Sequence, residues 1–508
     1  MKEFKTKSGD ILLYHGAPKL AMLEELAAGP GDVWHSGLQS GLIDAFQEIK
    51  FQVATFWWYI NDFPHNDIVI SWRMPHDAFV VRKLVWEQTS GLDHIYEDEF
   101  MSGLDFAYRL LRYGGATVLH VAGLFPTDDN QFKVSREDRF RFYLKFFKID
   151  HSLYMIYRAP FSVKLAEIST LLKLKKVAKR YEQELIKPRK LAPISGNPQV
   201  SYIIPTMMRQ QMTAALLKDL AKQTYPPHEV ILVDATLQDE RIDGVYDGDF
   251  PYNLKVQWQE TQGSCRARNE AIALSNGEFV IFGDDDIKIQ PEFIEKHIQF
   301  LQTYGADACN GLDIMADHPT QDLEDLKLKL DNLDRSFFRT GVSQSFNNAN
   351  SCVRREWIKK IGPNDINFDC GYGEDSDYGI RLVKKGAVVL YNPFSVNLHL
   401  KPAKGGYRWW GTQSKQLGPQ RKKQPWEGDR PVGKIIPVPS PTISYFNLKH
   451  FTKEQIAEYK NIYFFKHLFK KEIWKLPSKL FHLGFKKKQF KESMIYAENL
   501  IKKGQQFK

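Results

Sequence analysis

Between residues 200 and 282 short apolar runs alternate with amphipathic segments, and this alternation restricts the fold more than any other feature. Residues 200–204, 229–233 and 279–282 have the β-branched and aromatic content of buried strands. Residues 212–223 and 266–275 carry helical spacing. Strands alternating with helices build a mostly parallel sheet with both faces covered. Ligands of such sheets bind beyond the carboxyl ends of the strands. Asp234 closes the second strand, and Asp284–Asp286 follow the third.

Three adjacent carboxylates repel one another unless a cation or solvent screens them. A hard divalent ion with oxygen ligands resolves the conflict, and Mg²⁺ or Mn²⁺ held there would bridge to a diphosphate. The bland alternative, a solvated acidic turn, loses ground because these acids end a buried strand. A second cluster, Gly371-Tyr372-Gly373-Glu374-Asp375, precedes a helix expected over 376–385. A carboxylate at such a start can act as a general base, or can simply cap the helix. His399, in a strand-like run, can complete an Asp-based metal site.

The wider chain divides by composition. Residues 161–187 are helical and charged, and the Pro-Ser-Gly stretch 191–198 marks a boundary. The net charge of +9 sits in one place: residues 451–508 hold fourteen Lys and five Glu, and the remainder is balanced. A neutral body argues against nucleic-acid binding. The polar N-terminus gives no secretory signal, no run reaches spanning length, and four cysteines without a C-x-x-C pair suit a reducing compartment. Residues 81–114 align without gaps on 353–386, with seven identities in 34 pairs, Asp93/Asp365, Asp105/Asp377 and Arg109/Arg381 among them. A degenerate duplication is the reading favoured over two unrelated pieces.

These motifs together resemble the family 2 glycosyltransferases with the GT-A fold. The resemblance covers about residues 198–401 and rests on six segments in order: 200–206 as the first nucleotide-binding strand, 223–234, Ala267-Arg268-Asn269, the D-x-D of Asp284–Asp286, Asn350 with 353–356, and Gly373-Glu374-Asp375. It implies metal-dependent transfer of a sugar from a nucleotide-sugar to an acceptor hydroxyl, with inversion. Asp375 would be the base and Glu374 would help hold the acceptor. Pro205, Thr206, Asp234, Arg268, Asp284 and Asp285 would hold the nucleotide-sugar. Asp286, Asp284 and His399 would bind Mn²⁺ or Mg²⁺. Asn350, Trp409 and Trp410 would lie on the acceptor side. Ala235 stands where many relatives have a second acid, which weakens the inference of a uridine base.

The expected fold is therefore α/β: a degenerate GT-A-like accessory domain at 1–160, a helical linker at 161–197, a GT-A catalytic domain at 198–404, a loop-rich segment with a lid at 405–450, and a basic amphipathic helical tail at 451–508. At the repeat's offset Glu374 and Asp375 become Ser102 and Gly103, so the accessory domain lacks the base. The expected partners are a nucleotide-sugar donor, a glycan or lipid-linked acceptor in surface polysaccharide synthesis, an anionic membrane surface reached through 462–488, and no nucleic acid, with homo-oligomerisation left open. The expected location is cytoplasmic, peripheral at the inner face of the membrane. Competing readings are an inactive sugar- or nucleotide-binding scaffold and a second transferase site in the N-terminal domain.

Overall fold

The computed structural model describes residues 1–37, 61–63, 65–126, 134–182, 184–343, 345–369, 371–402, 404–407, 435–469 and 473–507. The chain divides into two compact units. Unit 1 is Met1–Arg189 with Arg339–Gln344 and Thr452–Leu476, and unit 2 is Lys190–Phe338 with Ser345–Phe451 and Pro477–Lys508.

Unit 1 contains β1 (Lys2–Lys5), β2 (Ile11–His15), α1 (Leu20–Ala28), β3 (Val33–His35), β4 (Ile68–Ile70), β5 (Phe79–Arg82), α2 (Lys83–Trp86), α3 (Glu99–Arg109), β6 (Val118–Val121), α4 (Arg136–Phe146), α5 (Ile149–Arg158) and α6 (Lys164–Lys175). Its strands form one sheet in the order β1-β2-β5-β3-β6-β4. α6 ends at Lys175, short of the helix expected to 187. Beyond it the backbone turns to other partners, with Tyr181 N–H donating to Lys145 O and Ile186 N–H to Gly114 O.

Unit 2 contains β7 (Val200–Thr206), α7 (Gln210–Ala221), β8 (Glu229–Asp234), β9 (Asn253–Trp258), α8 (Ser264–Leu274), β10 (Phe279–Gly283), β11 (Ile287–Ile289), α9 (Phe293–Tyr304), β12 (Ala308–Met315), α10 (Leu323–Asp331), β13 (Asn350–Arg354), α11 (Arg355–Ile361), α12 (Glu374–Lys384), β14 (Val389–His399) and α13 (Pro441–His450). The sheet order is β11-β14-β12-β13-β10-β7-β8-β9. β7, β8 and β10 are buried along their whole length, as their apolar runs require, and they pair in parallel with β9 at the edge. α13 lies inside the stretch expected to be loop, started by Pro441 at its first turn. Two helices follow, α14 (Lys453–Phe469) in unit 1 and α15 (Leu476–Lys503) almost wholly in unit 2. Pro477 falls in the first turn of α15, where a missing N–H costs nothing, so it marks the start of that helix. Cys265, Cys309 and Cys352 are buried free thiols, and Cys370 lies outside the described residues. Among the described residues no helix is long and apolar enough to cross a membrane.

Unit 1 matches the later half of unit 2. The order β4-β6-β3-β5-β2 corresponds to β11-β14-β12-β13-β10, and successive pairs run antiparallel, parallel, antiparallel, antiparallel in both. The edge strand differs in chain position, since β4 follows β3 whereas β11 follows β10. The tethers match as well. Asp32 Oδ2 accepts from Thr117 N–H at 2.8 Å, as Asp307 Oδ2 does from Val388 N–H at 2.8 Å. Arg82 Nε donates to Gly31 O and Arg354 Nε to Ala306 O, both at 3.0 Å. Lys145 bridges Asp93 and Asp105 at 2.7 and 2.6 Å, and Lys449 bridges Asp365 and Asp377 at 2.8 and 2.7 Å. The lysines stand on α4 and α13, so the correspondence extends past the aligned segment.

Candidate active site

The carboxyl ends of β7, β10 and β12, the start of α12 and the end of β14 border a cleft of about 630 Å³ in unit 2. Its walls include Pro205, Arg209, Arg268, Asp284–Asp286, Asp313, Glu374, Asp375 and His399. Local backbone chemistry sets these side chains in place. Gly373, with φ of 105°, makes the left-handed turn into α12, and Glu374 and Asp375 open that helix where its dipole favours acids. His399 ends β14, opposite Ile287 of β11 and Met315 of β12. Met208 and Lys401 are non-glycine residues with positive φ, 55° and 47°, one beside Arg209 and the other in the cleft wall. Backbone strain of this kind tends to collect at functional sites.

Each aspartate of the triplet has its own cationic partner. Arg268 Nη2 donates to Asp284 Oδ1 at 2.6 Å. Arg209 Nη1 lies 2.9 Å from Asp285 Oδ1 and 2.9 Å from Asp286 Oδ2. His399 Nε2 is 3.2 Å from Asp286 Oδ1, and its Nδ1 is 3.2 Å from Asp313 Oδ2. Burial pushes the Asp285 carboxyl up to about 6. Burial acts the same way on Asp286, but the hydrogen bond and charge of His399 and the charge of Arg209 outweigh it and hold that carboxyl below its usual range. Burial opposes charge on His399, and its bonds to Asp286 and Asp313 reverse the effect, raising the ring to about 10.

One ligand atom each from Asp284, Asp286 and His399 lies within 4.8 Å of the others. Two carboxylate oxygens and an imidazole nitrogen are a donor set that fits Mn²⁺ or Mg²⁺. Asp313 holds the second ring nitrogen of His399, which is the orientation a ligating imidazole needs.

Asp375 is half-buried in the cleft wall at the start of α12. Burial is the largest influence and raises its carboxyl to about 7, with Arg268 opposing and Asp284 and Asp313 adding to the rise. Asn348 Nδ2 donates to Asp375 Oδ1. Arg268 Nε has no hydrogen-bond partner among the described residues.

Not every expected residue lies in the cleft wall. Asp234 and Thr206 sit at strand ends but are fully buried. Asp234 accepts from Thr236 N–H at 2.8 Å and from Tyr246 O–H at 2.7 Å. Thr206 Oγ1 donates to Asp285 Oδ2 at 2.7 Å, so it supports the triplet from below. Asn350, expected on the acceptor side, is instead fully buried, because its side chain bonds His297 Nε2 at 2.9 Å and Asn397 at 2.7 Å. The cleft receives Asn347 and Asn348 in its place. Trp409 and Trp410 lie outside the described residues.

Asp313, Arg209 and Asn348 are among the cleft residues that escaped the sequence reading. Asp313 had the same signal as Asp284, an acid late in an apolar strand. Arg209 follows the first strand directly. Asn348 stands in the Asn-rich turn before β13. Tyr407 falls within the lid expected at 405–450, and only the fold gives its partners: its O–H donates to Thr206 O at 3.0 Å and to Gln259 Oε1 at 3.2 Å. The segment that carries it is tied across the cleft, with Gly406 N–H donating to Met207 O at 2.7 Å.

Known proteins were compared with the chain. Residues 201–362 match the model of glycosyl transferase family 2. An uncharacterized glycosyltransferase of Haemophilus influenzae is 25% identical over 206 residues, covering 39% of this chain and 65% of its own length. The poly(ribitol-phosphate) beta-N-acetylglucosaminyltransferase TarS of Staphylococcus aureus is 34% identical over 111 residues, covering 21% of this chain and 19% of its own. The chain thus spans less than two thirds of the length of these curated relatives. Among solved structures, S. aureus TarS 1-349 has a TM-score of 0.33 at 22% identity, covering 40% of this chain and 61% of that one. The mannosyltransferase PcManGT from Pyrobaculum calidifontis, in complex with GDP-Man and Mn²⁺, has a TM-score of 0.34 at 16% identity, covering 61% and 89%.

Proposed function

We propose, from the premise that residues 201–362 form a family 2 glycosyltransferase domain, that the chain moves a sugar from a nucleotide-sugar, uridine-linked by default, to a hydroxyl of a glycan or lipid-linked acceptor with inversion. The observation that carries this reading is the pairing of two chemistries in one cleft. A three-residue set able to hold a cation and a half-buried carboxyl raised to about 7 both face it.

Asp375 accepts the proton of the attacking hydroxyl. A carboxyl raised to about 7 is a stronger base than an ordinary one and is half-ionised near neutral pH. Asn348 orients one of its oxygens, and Glu374 beside it lies where an acceptor hydroxyl can be held. Arg268, with one N–H still unpartnered, is placed to bind the diphosphate. Asp284, Asp286 and His399 would hold Mn²⁺ or Mg²⁺, which when bound neutralises charge on the diphosphate leaving group. TarS carries the name of an N-acetylglucosaminyltransferase, and its solved complexes hold UDP and UDP-GlcNAc, so UDP-GlcNAc is the first donor to try. Residues 462–488 are assigned a supporting contact with an anionic membrane surface, where lipid-linked acceptors are found, and unit 1 a non-catalytic accessory role.

A panel of nucleotide-sugars with Mn²⁺, read by nucleotide release, tests the proposal. Release from at least one donor, lost in Asp286→Ala, is expected. A protein that binds donor and metal but turns over none of the panel would be a scaffold.

A further inference from the structure

Helix α6 has two faces bearing apolar side chains, and among the described residues only one is covered. Glu167, Thr170, Leu171 and Leu174 are buried, and Arg136 and Arg139 of α4 hold Glu167 at 3.1 and 2.6 Å. On the opposite side Phe161, Leu165, Ile168 and Leu172 recur at spacings of four, three and four, and they are 91%, 82%, 41% and 58% exposed. A helix apolar on both faces normally has both covered.

Neighbouring helices of unit 1 add further exposed aromatic side chains, joined to α6 through Lys164. Tyr157 of α5 is exposed, and its ring centroid lies 5.5 Å from that of Phe465 on α14. Phe465 in turn meets the exposed Phe469 at 5.0 Å.

Charge complementarity names the occupant. Lys164 Nζ stands 5.9 Å from the Tyr157 ring centroid, inside the patch. Lys173, Lys175, Lys176, Lys179 and Arg180 follow on exposed positions. Across 161–180 the one acid is Glu167, which is buried and already paired. Apolar side chains rimmed by cations suit the headgroup and acyl boundary of an anionic bilayer. The covered stripe fixes α6 in place, so this face is ready without folding on contact.

We propose that α5, α6 and the end of α14 form a docking surface for an anionic lipid bilayer, of which only the end of α14 belongs to the basic tail. It requires no transferase activity, so its failure would leave the catalytic reading standing.

The test is co-sedimentation of the full chain with phosphatidylcholine vesicles, with and without about one third phosphatidylglycerol. Leu165→Glu/Leu172→Glu interrupts the stripe, Lys173→Glu/Lys176→Glu reverses the rim, and Phe481→Glu/Phe485→Glu alters the tail. The chain should bind the anionic vesicles, and both α6 variants should lose at least about tenfold in partitioning while melting like the parent. The rim variant leaves every apolar contact in place and decides the matter if the stripe variant fails to fold. Parent-like binding by the rim variant, loss confined to the tail variant, or no vesicle binding by the parent would each overturn the proposal. So would a parental dimer that the α6 substitutions dissociate while vesicle binding stays unchanged, because a second copy would then own this face.

Discussion

Unit 1 and the later half of unit 2 share strand order, a strand-clamping aspartate, an arginine tether and a lysine bridging two aspartates. They differ where chemistry would be done. Leu13 and Val280 pair with Val81 and Val353, so the positions after β2 that match Asp284–Asp286 are Ala17, Pro18 and Lys19. Glu374 and Asp375 correspond to Ser102 and Gly103. A Cβ on Gly103 would meet Met74 O at 2.5 Å and His76 N at 2.6 Å, so backbone fills the place a carboxylate would need. At the same offset His76 corresponds to Asn348, the residue that contacts Asp375. Framework and reacting groups are therefore separable in this molecule. The framework is held by buried ion pairs and strand pairing, and the reacting groups by one turn and two strand ends.

Substitutions at equivalent positions should break that comparison most sharply in activity. Asp375→Asn should cost about 10²–10⁴-fold in sugar transfer, and Lys19→Ala should leave the rate within about twofold, both by nucleotide release. A large loss with Lys19→Ala would place chemistry in unit 1.

The shared framework should respond equally in both units. Lys145→Met leaves the buried Asp105 and the half-buried Asp93 short of a cation, and Lys449→Met leaves the buried Asp365 and Asp377 short of one, each at a cost of about 3–5 kcal/mol. Comparable falls in thermal midpoint are the expected result, and a fall in one variant alone would make the resemblance of the units superficial. Gly103→Ala should cost about 1–3 kcal/mol, because its Cβ meets main-chain atoms that cannot move aside cheaply.

The smallest expected effect is in pH dependence. Asp375 must be ionised to act as base, so turnover should rise with pH through about 7. Asn348→Ala removes a donor to the charged form, which raises the carboxyl further and moves the rising limb upward by up to about one unit. An unmoved limb would assign it to another group.

Much of the site could be read directly from the chain. Asp284–Asp286, Asp375 and His399 all reach one cleft, because an acid at the end of a buried parallel strand, or at a helix start, has little freedom in where it points. The 81–114/353–386 alignment carried the duplication, since it already paired Asp93, Asp105 and Arg82 with their counterparts. What stayed hidden depends on tertiary pairing. Asn350 looks like any polar strand residue until His297 and Asn397 are found beside it. Tyr407 is distant in sequence from the strand end it contacts. The open stripe of α6 was read as ordinary helical spacing, because periodicity marks an apolar face without showing whether anything covers it.

The most direct test is the stoichiometry of Mn²⁺ binding in the presence of uridine diphosphate, by calorimetry on the full chain. One ion per chain, lost in Asp286→Ala and retained in Lys19→Ala, is the predicted result. Two equal sites, no binding, or binding that survives Asp286→Ala would contradict a single equipped site built on a duplicated framework.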